Sequence, residues 1–322
     1  MSFTTEVVLT CLVMPAVIAG VAAFIAAVFA RRSSNESVTS SQPIDAELVD
    51  TADIFRDSRG GTITVAGWCV AVAASLAVRQ WAGDQRGWIA AITDGEAWQQ
   101  TLWPMTVFGL TLAVTTRCGW RSGTSRCWTA GILAAVAAYA VLPGGDGWQD
   151  LLPLHRPWAA LVVASCLANA WGLERFARSG ASRWCLLVLL AGMAVPALLG
   201  ALSYAAPAEF TVSGIAATFA CLVVMTLWDR FAKVPAALFT VIYPGSVMIA
   251  TMTTTARFYT WEDHPAWLYG IGLFSPAILA VVDAPISAKS VRVRLPIAAT
   301  LAVLLIFACV WKLVLGEPDQ NW

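Results

Sequence analysis

Charged residues are scarce in this sequence. Asp, Glu, Lys and Arg make up 12% of its 322 residues and hydrophobic residues 58%, whereas a soluble domain carries about 25% charged residues. The 20 basic and 20 acidic residues balance, so no net positive field is available to attract nucleic acid. A soluble fold of this size cannot bury so much apolar surface. The composition therefore predicts that the lipid bilayer is the main partner of the chain and excludes a nucleic-acid-binding role.

Long polar segments are equally scarce. The one such stretch, 31–60, is rich in serine and in scattered charges, and it is too short and too polar to fold by itself. We therefore expect a single integral membrane domain over 1–322, with a flexible cytoplasmic loop at 31–60.

Apolar stretches recur along the whole length and predict ten transmembrane spans. They are about twice the length of barrel strands and apolar on every face, so helices are expected. The predicted spans are Val7–Ala30, Gly61–Val78, Thr101–Thr116, Trp128–Leu142, Pro157–Leu173, Trp184–Tyr204, Phe210–Leu227, Val234–Ala256, Ala266–Val282 and Leu295–Leu315. The third and fourth are the shortest, and a re-entrant hairpin is the alternative interpretation for them.

Basic residues predict the orientation of these spans, because Arg and Lys near span ends stay on the cytoplasmic side. Every second segment between two spans contains more basic residues than the segments before and after it. The basic residues of these richer segments are Arg31, Arg32, Arg56 and Arg59; Arg117, Arg121 and Arg126; Arg175, Arg178 and Arg183; Arg230 and Lys233; Lys289, Arg292 and Arg294. The pattern favours an all-α bundle of about ten helices in the cell (cytoplasmic or inner) membrane, with both termini outside.

Catalytic and metal-binding motifs are missing. The sequence has no HExxH pair, no GxxxxGK[ST] phosphate loop, no GxGxxG dinucleotide loop and no GxSxG elbow. Its two histidines, His155 and His264, lie on the predicted outer side, and Cys118 and Cys127 match no zinc spacing. We therefore predict no metal and no cofactor, and an enzyme is the less favoured class.

Polar residues inside the spans are the candidates for a substrate pathway. The eighth span contains Tyr243, Thr251 and the pair Pro244-Gly245, which we expect to free backbone carbonyls near the middle of the helix. Asn169 lies in the fifth span, and Asp283 ends the ninth as its deepest carboxylate. Structural roles are the alternatives, namely a kink at Pro244-Gly245 and a helix cap or ion pair at Asp283.

A five-plus-five division is also compatible with the sequence. An odd number of spans in each half inverts the second half relative to the first, as in inverted-repeat transporters. The first span contains Met-Pro-Ala-Val-Ile-Ala-Gly at 14–20, and the sixth contains Val-Pro-Ala-Leu-Leu-Gly at 195–200. These short matches fit either a duplication or coincidence.

Three functions remain open. A transporter of a small solute or ion, the favoured hypothesis, predicts a polar cavity at mid-membrane between the first, third, sixth and eighth spans. A non-catalytic subunit or scaffold predicts a solid bundle with an exposed apolar groove. A membrane-embedded enzyme acting on a lipid-borne substrate predicts that His155, His264 and acidic side chains cluster above a cleft.

Overall fold

The computed structural model describes residues 3–38, 58–84, 97–117, 123–142, 152–178, 182–201, 205–228, 236–259 and 265–286, with six further positions between 300 and 311. Nearly all of these residues are helical, and they contain no strand. The predicted all-α class is therefore confirmed over the described part of the chain.

The helices follow the predicted spans closely. They are α1 (Phe3–Val7), a π-helical segment (Val8–Val13), α2 (Met14–Val38), α3 (Ser58–Asp84), α4 (Ala97–Gln100), α5 (Leu102–Arg117), α6 (Gly123–Val141), α7 (Leu152–Arg178), α8 (Ser182–Ala201), α9 (Ala205–Trp228), a 3₁₀ segment (Ala236–Val241), α10 (Ile242–Phe258), α11 (Ala266–Asp283) and a 3₁₀ turn (Ala284–Ile286). The tenth predicted span, Leu295–Leu315, lies largely outside the described residues, so the count of ten stays a prediction.

The segment predicted as a flexible loop, 31–60, is helical at both ends. Helix α2 continues to Val38, and α3 begins at Ser58. Polar residues cost nothing at a helix end that projects into water, so a helix can continue past its apolar stretch. Residues 39–57 lie outside the described part of the chain.

Several helices are long and apolar enough to cross a membrane. Four described stretches meet both criteria of length and composition: Thr5–Phe29, Gly60–Arg79, Ala206–Trp228 and Ala266–Asp283. Two shorter apolar helices, Cys127–Val141 and Cys185–Leu199, accompany them. These features are those of a helical membrane protein.

Helix α10 lies at the centre of the bundle. It packs against α5, α6, α7, α8, α9 and α11. These helices and α3 surround it in the order α3, α5, α6, α7, α11, α8 and α9, and α9 closes the ring by packing on α3. Helix α2 lies outside the ring, against α3 and α9. The most polar predicted span is therefore the one most enclosed by protein.

On α2, large apolar side chains face outward and small ones face the other helices, which is the reverse of the arrangement in a soluble protein. Helix α2 turns Val17, Val21 and Phe24 outward, while it buries Ala19 and Ala23 against its neighbours. Small residues at helix contacts let backbones approach closely in lipid, where the hydrophobic effect does not drive helices together. A water-facing stripe of this size would favour aggregation, so the outer surface fits hydrocarbon.

Contacts near the predicted outer helix ends join several spans. Arg79, at the end of the second span, bonds both Glu6 before the first span and Glu209 before the seventh. The hydroxyl of Tyr259, after the eighth span, donates to the carbonyl of Val141 at the end of the fourth, at 3.2 Å. All five residues were predicted for the outer side.

Contacts at the other end join residues predicted for the inner side. The Thr240 hydroxyl donates to the carbonyl of Gly61 at 3.0 Å, which links the start of the eighth span to the start of the second. The Cys185 thiol donates to the Leu173 carbonyl at 3.4 Å, which links the sixth span to the end of the fifth. These helices therefore run in the alternating directions that the charge pattern predicts.

Candidate functional site

The central helix contains four of the six predicted pathway residues. Tyr243, Pro244, Gly245 and Thr251 all lie on α10, where every residue except Arg257 is buried. Any route for a solute through the middle of the bundle must therefore pass along this helix.

The serine and threonine hydroxyls of α10 donate to its own backbone. Ser246 donates to the Ile242 carbonyl at 2.7 Å, and Thr251 donates to the Val247 carbonyl at 2.8 Å. The side chains of Thr253, Thr254 and Thr255 make the same bond to the carbonyl four residues earlier. A hydroxyl that bonds its own helix is satisfied in an apolar interior without a partner on another helix. These polar side chains therefore need no water and no substrate.

The pair Pro244-Gly245 lies close to a change of helix type. Helix α10 begins at Ile242, directly after the 3₁₀ segment, so Pro244 lies in the first turn of the α-helix, although it is near the middle of the predicted span. Backbone N–H groups in a first α-helical turn have no partner within the α-helix, so a proline costs little there. The change from 3₁₀ to α-helix directly before this turn is an irregularity in the middle of the span, and carbonyls freed there for a substrate stay a prediction.

Gly245 has a packing role. A Cβ atom at this position would lie 2.8 Å from Leu189 Cδ1 and 2.9 Å from Met193 Cε. The missing side chain thus allows α8 to pack closely on α10, as small residues do between membrane helices.

Asn169 bonds the backbone of α11 beside Pro276. Pro276 in α11 has no N–H group, and its ring disturbs the regular hydrogen bonding of the turn before it. The fully buried Asn169 side chain donates to the Leu273 carbonyl at 2.7 Å and accepts from the Ala277 N–H at 3.1 Å. These two backbone groups would bond each other in a regular helix. Asn169 therefore bridges the gap from α7, a structural use of this amide.

Asp283 is the last residue of α11 and is buried, and the 3₁₀ turn Ala284–Ile286 follows it. It lies six residues beyond Ala277, so about 9 Å of helix separates it from the Asn169 bridge. The predicted pathway residues thus occupy three places: the centre of α10, the α7–α11 contact and the inner end of α11.

Two buried hydroxyl groups in the described residues have no hydrogen-bond partner. They are Thr101 Oγ1, just before α5, and Ser275 Oγ in α11. The sequence carries no signal that distinguishes these two from the many paired hydroxyls, because pairing depends on rotamer and on neighbouring helices.

An ionic cluster at the outer end of the bundle was not predicted as a site. Arg79 Nε and Nη2 donate to the two carboxylate oxygens of Glu209 at 2.9 and 3.1 Å, and Nη1 donates to Glu6 Oε1 at 3.1 Å. The side chains are 21%, 18% and 34% exposed in the order Arg79, Glu209 and Glu6. The available signal was an arginine on a predicted outer side where acidic residues outnumber basic ones. Its partners lie 73 and 130 positions away, and only the fold joins them.

Two grooves lie on the sides of the bundle. The outer groove, of about 330 Å³, is lined by Val7, Cys11, Ala197, Leu198, Ala208, Glu209 and Val212. The lateral groove, of about 400 Å³, runs between α5 and α6 and is lined by Gln100, Trp103, Pro104, Val107, Leu133, Val136 and Ala140. Both linings are mainly apolar.

No group of three metal-ligating side chains occurs among the residues that the structure describes. The side chain of His155 and all of residue 264 lie outside that part, so the cluster expected of an enzyme is not tested. The cysteines Cys69, Cys166 and Cys221 are buried in the bundle, whereas Cys127 is exposed.

Comparison with protein families, with curated proteins and with solved structures finds no match to this chain.

Proposed function

We propose that this chain is a non-catalytic component of a membrane assembly, built around a solid helical core. The observation that carries the proposal is the central helix α10, which is buried from Ile242 to Ala256 and whose serine and threonine hydroxyls donate to its own carbonyls. A transported polar solute needs side-chain groups that are free to replace its water. In α10 the hydroxyl hydrogens of the serine and the threonines are already donated to the helix's own carbonyls.

The features that favoured a transporter have structural roles in the described residues. Pro244 lies in the first turn of α10. Gly245 allows α8 to pack closely on α10, and Asn169 bonds the backbone of α11 beside Pro276. The transporter hypothesis stays a prediction. The solid bundle with an apolar groove was the pattern expected of the subunit or scaffold.

The lateral groove between α5 and α6 is the proposed contact for a partner helix. Its walls include the exposed side chains of Trp103, Val107 and Val136. A groove between two helices offers the concave apolar surface on which a third helix packs. Large aromatic side chains at such a surface provide contact area with little loss of conformational freedom.

The proposal includes about ten spans in the cell membrane, with both termini outside. The contacts at the two sets of helix ends, such as Arg79 with Glu209 and Thr240 with Gly61, support alternating directions. The basic connectors support the assignment of the inner side.

The depth of α5 supports a full crossing by the third span rather than a shallow hairpin. A Cβ atom at Gly109 would lie 2.9 Å from Pro244 Cδ and 3.0 Å from Val65 Cγ1, and Pro244 lies near the middle of its predicted span. Eight further residues, about 12 Å of helix, continue from there to Arg117.

The five-plus-five repeat stays a prediction. The eighth span is enclosed by the bundle, whereas the third, its counterpart in a repeat, lies in the surrounding ring. If the two halves arose by duplication, the third and eighth spans have since diverged to occupy these different positions in the bundle.

A cysteine substitution in the core tests the solid centre. In the Thr251→Cys variant we expect no labelling by a small membrane-permeant maleimide beyond that of the wild type, because position 251 is fully buried. The exposed native Cys127 serves as the positive control for the reagent. Rapid labelling at position 251 would contradict a solid core and would favour alternating access.

The assembly itself is tested by filling the lateral groove. We expect the chain, extracted from its native membrane in mild detergent, to migrate in a complex larger than its own 34.3 kDa. Ala140→Trp, inside the groove, should dissociate this complex. The matched variant Ala135→Trp, on an exposed position of the same helix outside the groove, should not. A chain that runs alone, or equal behaviour of both variants, would refute the proposal.

A further inference from the structure

The first span has an irregular segment near its outer end. Pro15 cannot donate a backbone hydrogen bond, and its ring crowds the Cys11 carbonyl four residues before it. The π-helical turn Val8–Val13 precedes it, and the Met14 N–H bonds the Leu9 carbonyl five residues earlier instead of four. Such π segments are rare and concentrate at functional positions. The backbone is therefore weakest where α1 joins α2.

Beyond this irregular segment, the first span is held to the bundle by an unequal ionic contact. Arg79 makes two bonds to Glu209 but a single bond, at 3.1 Å, to Glu6. Bidentate arginine–carboxylate pairs are stronger than single contacts. Glu6 is also the most exposed of the three side chains. If the outer end of the first span moves, the Glu6 bond breaks while the Arg79–Glu209 pair remains.

The same segment forms one wall of the outer groove. Val7 and Cys11 line it from the first span, and Ala197, Ala208 and Glu209 are among the residues that line it from α8 and α9. The opposite side of the segment presents Val8, Leu9, Leu12 and Val13 outward. A movement of the segment away from α9 would therefore open the groove sideways, toward the surrounding lipid.

We propose that residues 3–13 form a lateral gate over the outer groove. The gate is hinged at the π-helical segment before Pro15 and is held closed by the bond from Arg79 to Glu6. The inference is independent of the proposed assembly role, because it concerns a different helix and a different groove.

Cys11 provides a native reporter of the gate. Cys11 is buried in the closed structure, with 1% of its surface exposed. Cys69, Cys166 and Cys221 are also buried. In the intact protein in detergent, we expect N-ethylmaleimide to alkylate Cys11 faster than these three, because the gate opens without global unfolding. Peptide mass spectrometry resolves the rate at each cysteine.

The Glu6→Gln variant tests the latch. A partly exposed ion pair changes an equilibrium by a small amount, so we expect the Cys11 rate to rise about twofold to fivefold while the rates at Cys69, Cys166 and Cys221 stay unchanged. The matched variant Glu174→Gln, near the opposite end of the bundle, should leave all four rates as in the wild type. An unchanged Cys11 rate in Glu6→Gln would overturn the proposal. A parallel rise at all four cysteines would also overturn it, since that would mean general loosening.

Discussion

Replacement of Asn169 tests the structural role that its two hydrogen bonds imply. In an Asn169→Leu variant, the side-chain volume is roughly kept, but the Leu273 carbonyl and the Ala277 N–H both lose their bond to the Asn169 side chain. Each buried group left unpaired costs about 1–3 kcal/mol. Hydrogen bonds between membrane helices average about 0.6 kcal/mol, because the separated helices also find partners. We therefore expect a loss of about 2 kcal/mol in the free energy of unfolding.

The matched control is Ser165→Ala, one turn earlier on the same helix. Ser165 is also fully buried, but its hydroxyl bonds only the Val162 carbonyl of its own helix. Its removal orphans no group on another helix, so the loss should stay below about 1 kcal/mol. Reversible unfolding in mixed micelles, followed by helical circular dichroism, measures both variants. Equal losses at the two positions would refute the bridging role.

A double-mutant cycle with Pro276→Ala sharpens the test. Alanine restores an N–H group at position 276 and lets α11 close its regular hydrogen bonds. The loss caused by Asn169→Leu should then shrink by about 1 kcal/mol, because the bridge is needed less. Additive losses would show that Asn169 does not act through the interruption at Pro276.

Two further predictions concern the central contacts. Gly245→Ala should destabilise the protein by about 1–3 kcal/mol, since a Cβ atom there would lie 2.8 Å from Leu189. The control Gly131→Ala should be neutral or stabilising, because no atom lies within 4 Å of the added Cβ. Equal effects of the two variants in the same unfolding assay would contradict the close α8–α10 contact. Thr251→Val removes a hydroxyl that bonds only carbonyls of its own helix. Because Val247 keeps its backbone partner, the free energy of unfolding should fall by less than about 1 kcal/mol. A larger loss would mean that the hydroxyl also bonds a group on another helix.

The spans were predictable because their signal is local. Runs of apolar residues gave nine helices close to their observed bounds in the described residues, whereas the orientation inferred from the arginines stays a prediction. The end of α2 was missed, because residues 31–38 are polar and a helix can continue in water without any apolar signal.

The roles of single polar residues were not predictable in the same way. Asn169 stood out as a buried amide, but its partners at Leu273 and Ala277 are more than a hundred positions away. The pattern marked Pro276 no more than any other proline in a span. The placement of Pro244 in a first turn depends on the 3₁₀ segment before it, and neither periodicity nor composition distinguishes a 3₁₀ turn from an α-helical one.

The alternating bundle is tested most directly by finding the side of the membrane from which two described residues can be labelled. Thr5 is exposed at the start of the first span, and Cys127 is exposed at the start of the fourth. With an impermeant maleimide, we expect the Thr5→Cys variant to be labelled at position 5 in intact cells, and Cys127 to be labelled only after the membrane is permeabilised. Labelling of both positions from the same side would contradict the account.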